Sequence, residues 1–572
     1  MQLLGWLVVV LCSLAALPAQ VQQRPNVLLI VADDLGIDAI GCYGTGPAPA
    51  ATPNIDQLAA GGVRFTRAIA TPACSPSRAC LQTARYPFRT GIGVGVLPGR
   101  TGLQPSEWLL PEMMGAAGYA TGAIGKWHLG DALGPSTPNS SGWTRFAGNL
   151  HGYLPNYTNW TKVVDGAPLA TTTYATSDNV DEALQWIQAR QGPWCLMLAF
   201  DAPHAPYHVP PAHLHARNLA GLDPQSQPLP FYKAMVEALD TEIGRLLAGI
   251  PPTELANTNI VFTSDNGTPP EVTELPLRPW RAKGTLYQGG IRVPLVVKGP
   301  AVVNPGRTSA ALVDMVDLMP TVAAMAQVPP GMLAPAGTVT DGQSFLPVLA
   351  DTVPSVRTWS YSEQFMLHAT SGFAIQNARY KLIRFTWWWY AYEELYDLQL
   401  DPLEQNDLLQ CTMNDDQIAA LRALRSEAAF LRQPQPQSVF GAGCPGSAGP
   451  VVVQAPAGAP RIGNTHTLTA SPIAANSPYS VGVIGFSRDQ SSIGPLPFDL
   501  SLVGMTDCQL WIDPASIDPV SLQGTTGTWA IPIPNQFSLV GVQFFQQVLV
   551  SDPAANAGGA IATHAMCFRI GL

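Results

Sequence analysis

Asn26-Val27-Leu28-Leu29-Ile30-Val31-Ala32 runs straight into Asp33-Asp34, and this stretch decides the fold class. A continuous apolar run of this length suits a strand buried on both faces of a mostly parallel sheet. Runs of the same kind recur at Trp194–Phe200, Asn259–Thr263 and Val293–Val297. Helical patterns separate them, as in Phe231–Leu247 (FYKAMVEALDTEIGRLL). Strands alternating with helices predict an α/β architecture: a large mixed, mostly parallel sheet flanked by helices. Asp33-Asp34 and Asp265-Asn266 each follow a strand at once. Sites in open α/β sheets gather at the carboxyl ends of strands, so these distant pairs are expected to meet at one edge.

Upstream of that strand, residues 1–19 (MQLLGWLVVVLCSLAALPA) are almost wholly apolar and end in a small residue. This reads as a signal peptide, short for a membrane span of roughly 20 residues. Export to a periplasmic, cell-surface or extracellular location is therefore expected, with no stable membrane span after cleavage. Charged residues make up 12% of the chain and the net charge is –10, with no Lys/Arg run, which gives no support for a nucleic-acid surface; no nucleic-acid partner is expected. An exported chain can form disulfides, either Cys411 with Cys444 or Cys508 with Cys567, the connectivity staying open. Asn139, Asn156 and Asn159 open glycosylation sequons.

Downstream the texture changes near residue 355. Tyr380–Phe385 and the run Trp387-Trp388-Trp389-Tyr390 predict strands of a smaller sheet. The aromatic run reads first as sheet packing and second as a sugar-stacking surface. Asp415–Arg432 predicts an amphipathic helix, with Ile418, Leu421, Leu424, Ala428 and Leu431 on one face. Gln433-Pro434-Gln435-Pro436-Gln437 is a stiff extended linker. Residues 450–572 contain no Lys, no Glu and only three Arg, with short β-prone stretches between Pro, Gly, Asn and Asp turns. A separate β-sandwich is expected there. The domains are thus 24–354 catalytic α/β, 355–432 a C-terminal subdomain, 433–449 a linker and 450–572 an accessory β-sandwich.

The chemistry concentrates in Cys74-Ser75-Pro76-Ser77-Arg78-Ala79-Cys80-Leu81-Gln82-Thr83-Ala84-Arg85. This segment resembles the signature of the formylglycine-dependent sulfatases, whose Cys-x-Pro-x-Arg core is intact here as Cys74, Pro76 and Arg78. Gln82 and Ala84 depart from the usual Leu and Gly. Further motifs follow in family order: Thr52-Pro53-Asn54-Ile55-Asp56, Gly125-Lys126-Trp127-His128-Leu129-Gly130, Pro203-His204-Ala205-Pro206, Ser264-Asp265-Asn266-Gly267, and Lys283-Gly284 with Gly289-Gly290-Ile291-Arg292. Gln288 stands where the family usually has Glu. The resemblance spans about residues 24–432, and ordered independent matches rarely arise by chance.

The resemblance implies an alkaline phosphatase-like fold and hydrolysis of sulfate esters, of sulfated carbohydrates or aryl sulfates. It implies that a formylglycine-generating enzyme oxidises Cys74 to Cα-formylglycine. Asp33, Asp34, Asp265 and Asn266, with modified Cys74, would bind one hard cation, Ca2+ or Mg2+; oxygen ligands suit both. One hydroxyl of the aldehyde hydrate would attack sulfur, and loss of a proton from the other would eliminate sulfate. By the same analogy Arg78 orients the hydrate, Lys126 lies between it and the sulfate, and His128 is the base. Lys283 and His204 bind sulfate oxygens and help protonate the leaving oxygen. Taken singly, each residue has a blander reading: turn, buried cysteine, loop histidine or surface lysine. Two alternatives stay open on sequence, a phosphate or phosphonate ester hydrolase of the same superfamily and a catalytically decayed glycan-binding protein.

Overall fold

The computed structural model describes residues 24–570 apart from 336–337, 366–370, 388–389, 433–437, 441–442, 456–459, 488–489, 492–493, 537–538 and 540–541. The signal peptide expected at 1–19, the core of the expected linker at 433–437 and the tryptophans 388 and 389 lie outside the described residues.

Ten strands form the main sheet: β1 (Asn26–Ala32), β2 (Val63–Ile69), β3 (Ala120–Gly125), β4 (Arg145–Gly148), β5 (Trp160–Val164), β6 (Ala167–Thr171), β7 (Trp194–Ala199), β8 (Thr258–Ser264), β9 (Arg292–Lys298) and β10 (Arg307–Asp314). Their order is β10-β2-β9-β8-β1-β7-β3-β4-β5-β6. The central block β8-β1-β7-β3-β4 is parallel throughout, while β9 runs antiparallel to both its neighbours. The sheet is mixed and mostly parallel, as the apolar runs predict.

β1 shows why its sequence has no polar alternation. Val27, Leu29 and Val31 enter one core, and Leu28, Ile30 and Ala32 enter the core on the opposite face. Successive strand residues point to opposite faces, so two covered faces demand an unbroken apolar run. One core takes Ala79 and Leu81 of the helix Cys74–Thr83 and Met113 of Leu110–Ala116. The other takes Val180 and Ala183 of Ala175–Gln188, and Val236 and Leu239 of Pro228–Gly249.

A four-stranded antiparallel sheet follows: β11 (Trp359–Gln364), β12 (Ser371–Asn377), β13 (Tyr380–Trp387) and β14 (Tyr390–Asp397). Trp387 pairs with Tyr390 at the end of the β13–β14 hairpin. The helix Asp415–Leu431 packs Leu421, Leu424 and Ala428 into the main core, the face its spacing predicts. Beyond it, a five-stranded and a four-stranded antiparallel sheet share one core, with Leu468 and Trp529 from one and Val548 and Phe568 from the other. Ser438–Phe440, inside the expected linker, is an edge strand of the five-stranded sheet against the last strand. The disulfide joins Cys444 to Cys508, so neither pairing weighed from sequence is the one formed. Which cysteines meet depends on how the sheets fold together, and residue order carries no trace of that.

Candidate active site

Strand register builds the site. β1 and β8 lie side by side with Ala32 opposite Ser264, so Asp33-Asp34 and Asp265-Asn266 emerge together. The two strand ends are stitched: Asp34 N donates to Asp265 Oδ1 at 3.2 Å, Leu35 N to Ser264 Oγ at 3.0 Å and Gly36 N to Thr268 Oγ1 at 3.2 Å. A Cβ on Gly36 would sit 2.4 Å from that hydroxyl, so only glycine permits the approach. Asp34 itself is held at φ 68, a left-handed conformation that costs a non-glycine residue about 1–2 kcal/mol. β3 lies beyond β7 and delivers Lys126, whose N–H donates to Ala199 O.

Cys74 is the first residue of the helix Cys74–Thr83 and is 4% exposed. Its Sγ lies 3.4 Å from Asp33 Oδ1 and 4.0 Å from Asp34 Oδ1. Ligand atoms of Asp33, Asp34, Cys74 and Asp265 all fall within 4.8 Å of one another, and all four residues are buried. Asn266 gives its amide N–H to Asp34 Oδ1 at 2.8 Å, while its buried Oδ1 has no hydrogen-bond partner. A buried orphan oxygen beside three carboxylates is the donor set a hard cation takes. Burial, with Asp265 and Asp34 adding to it, pushes Asp33 up to about 7 against the pull of Lys126.

Three cations balance the three carboxylates. Arg78 is fixed by Nε and Nη2 on Asp265 Oδ2, at 3.0 and 2.7 Å, and by Nη1 on Lys126 O at 3.0 Å. Lys126 is fully buried and pairs with Asp33. Lys283 donates to Asp34 Oδ2 at 2.7 Å, and His204 Nε2 lies 3.7 Å from the same oxygen. Against burial, Lys283, then His204 and Lys126, hold the Asp34 carboxyl at about 2. Burial raises the Cys74 thiol far above its usual range, with Asp265 adding to it, so the unmodified cysteine is a poor nucleophile here.

His128 stands apart from the carboxylates. Its Nε2 is 3.1 Å from Val96 O, and its Nδ1 is buried with no hydrogen-bond partner. Burial, with Lys126 and Arg78 nearby, holds the imidazole well below its usual value, which keeps it neutral and able to accept a proton. Burial likewise lowers His204, with Lys126 and Lys283 adding to it and Asp34 opposing.

The structure thus gathers Asp33, Asp34, Cys74, Arg78, Lys126, His204, Asp265, Asn266 and Lys283, with His128 at the flank. Sequence reasoning passed over Ser75, whose hydroxyl donates to His128 O at 2.7 Å and accepts from Val96 N at 2.9 Å. It also passed over Asn149 and Asp201. Asn149 Nδ2 donates to Asp201 Oδ1 at 2.9 Å and to the carbonyls of His151 and Tyr153. Asp201 offered a signal, because it follows β7 just as the acidic pairs follow β1 and β8. The three departures from the family pattern are accommodated. Gln82 accepts from Trp143 Nε1 at 3.1 Å, Gln288 donates to Gln376 at 2.6 Å, and Ala84 takes the left-handed cap of the signature helix at φ 56.

Fold and site together define a hydrolase with its centre at the carboxyl ends of parallel strands, built to hold an anion beside a cation. Residues 25–328 match the sulfatase family, and residues 278–428 match the C-terminal region of N-sulphoglucosamine sulphohydrolase. Human arylsulfatase A is 34% identical over 400 residues, covering 64% of this chain and 76% of that protein. The N-acetylgalactosamine-6-sulfatase of Canis lupus familiaris is 31% identical over 383 residues, covering 60% and 70%. The crystal structure of Ps i-CgsB in complex with k-i-k-neocarrahexaose superposes with a TM-score of 0.62 at 28% identity, over 72% of this chain and 93% of that one. The chain belongs to the sulfatase family and is a sulfuric ester hydrolase. The family generally uses a formylglycine and a divalent metal, and the buried aspartates at 33, 34 and 265 fit such a metal.

Proposed function

We propose that this enzyme is exported, carries Cα-formylglycine at position 74, binds Ca2+ (Mg2+ fits the same donors) and removes sulfate from sulfated glycans. The observation that carries the reading is Cys74 at a helix N-terminus, 3.4 Å from Asp33, inside a ring of three carboxylates and three cations. Asp33, Asp34, Asp265 and the free Oδ1 of Asn266 would hold the cation, which when bound offsets negative charge on the sulfate. The aldehyde hydrate would bring two hydroxyls on one carbon, one to take the sulfuryl group and one to release it.

The remaining work falls to the chain's own groups. Arg78 is locked on Asp265 and Lys126 O, so it orients position 74 without rotamer freedom. Lys126 and Lys283 enclose the space in front of Cys74 with positive charge and favour sulfate oxygens there. His204 stands next to Lys283 on Asp34, where a proton can be handed to the departing alcohol. Neutral His128, anchored by Val96 O, takes the proton from position 74 in the release step. A formylglycine-generating enzyme is the maturation partner, and residues 450–572 act as an accessory unit. Among the described residues no helix is long and apolar enough to cross a membrane. Glycan-directed names among the relatives support the substrate class.

The test is free sulfate released from a pool of sulfated glycans and from an aryl sulfate, with protein co-expressed with a formylglycine-generating enzyme and supplied with calcium. Release that disappears in Cys74→Ala and in chelator supports the reading. An aldehyde at position 74, seen by mass spectrometry, with no release from either substrate refutes it and points to phosphate or phosphonate esters.

A further inference from the structure

Two surface loops lean on the imidazole of His128. One is residues 95–102, which supplies Val96 O to Nε2. The other is the turn 149–153, whose Gly152 lies against the same edge of the ring, where a Cβ would come 2.5 Å from Nε2. A single carboxylate joins the loops. Asp131 Oδ1 accepts from Gly99 N at 2.6 Å, and its Oδ2 lies 3.3 Å from His151 Nδ1. Asp131 N in turn donates to Arg100 O at 3.0 Å. The turn is fixed from beneath by Asn149, itself held on buried Asp201.

This frame presents four side chains of different chemistry to solvent. Leu97 is 67% exposed, Tyr153 55% and the His151 side chain 48%, and Arg100 is exposed as well. Arg100 makes no ion pair among the described residues, in a chain of net charge –10. An apolar side chain, an aromatic ring, an imidazole and an unpaired guanidinium, rigidly mounted at one edge of a sulfate site, match an acidic sugar. Ring faces pack on Leu97 and Tyr153, hydroxyls bond to His151, and an anionic substituent takes the guanidinium fork.

We propose that Arg100 and His151, braced by Asp131, form a leaving-group subsite that selects esters whose alcohol carries a second anionic group. This deepens the sulfatase reading and rests on it. The second anion is a further sulfate or a carboxylate, and the two are separated by substrate choice. Matured full-length protein is assayed on three disaccharides: one with a single sulfate, one with two sulfates, and one with a sulfate and a uronate. Expected is a lower KM for one or both doubly acidic substrates. Arg100→Ala should raise that KM about tenfold with kcat held, and Arg100→Lys should restore most of it. Asp131→Asn should raise the same KM by freeing the loops. An Arg100→Ala effect equal on all three substrates, or absent on all three, overturns this subsite alone. Failure of aldehyde-bearing wild-type protein to hydrolyse any of them overturns the subsite together with the sulfatase reading.

Discussion

Replacing Lys126 by Met should damage stability more than any other single change at the site. Lys126 is fully buried against Asp33, which lies beside Asp34 and Asp265. Its removal leaves a buried carboxylate facing two others. Breaking one side of a buried pair costs about 3–5 kcal/mol. At about 2 °C per kcal/mol for a domain of this size, the melting temperature should fall by about 6–10 °C in chelator at pH 8. Asp33→Asn should cost less, because it also removes repulsion with Asp34 and Asp265. The double variant Asp33→Asn/Lys126→Met should match Asp33→Asn, a coupling equal to the full Lys126→Met penalty of about 3–5 kcal/mol. The penalty also carries a pH signature. Asp33 is raised to about 7, so its folded form binds the proton more tightly than the unfolded chain does. Stability from that proton is lost as pH rises through 7, and the Lys126→Met penalty should shrink at pH 5.5. Thermal melts of the three variants in chelator, at both pH values, decide the matter. Additive effects within about 0.5 kcal/mol, or a penalty independent of pH, would show that the pair is not coupled as described.

Three further outcomes are expected. Asp201 is buried, and burial lifts it to about 6, so Asp201→Asn should remove a stability loss that wild type suffers between pH 4 and 7; melting curves across that range should converge at the acid end. Gly152→Ala drives a methyl into His128, so kcat should fall at least tenfold while the cation-dependent rise in melting temperature persists. Reduction of Cys444–Cys508 opens a loop with a sequence separation of 64. Chain entropy puts that loss near 4 kcal/mol, visible as earlier unfolding of the C-terminal sheets while aryl sulfate hydrolysis continues.

The apolar runs of β1, β7, β8 and β9 made the central sheet legible, because strands covered on both faces cannot hide polar residues. The aspartates proposed to hold the cation were legible for the same reason, since they mark where those runs stop. Ser75, Asn149 and Arg100 were not. Their roles come from contacts with Val96, Asp201 and the Asp131 frame, which no periodicity encodes. Gln288 read as a departure from pattern, yet it bonds Gln376 and its N–H meets Glu404, a pairing visible only once the small sheet is docked. The cysteine pairing failed for the same cause: Cys444 and Cys508 meet only after two sheets close on one core.

The depth of Cys74 has a consequence for biogenesis. The thiol is 4% exposed and sits 3.4 Å from buried Asp33, on a helix wholly packed in the interior. No macromolecular catalyst can reach it without dismantling the sheet edge. On the proposed maturation, conversion therefore has a deadline, set by how fast the nascent chain closes β1 against β8. A molecule that folded first would be kinetically trapped in an unmatured form, and the yield of active protein would become a race between two clocks rather than a matter of equilibrium.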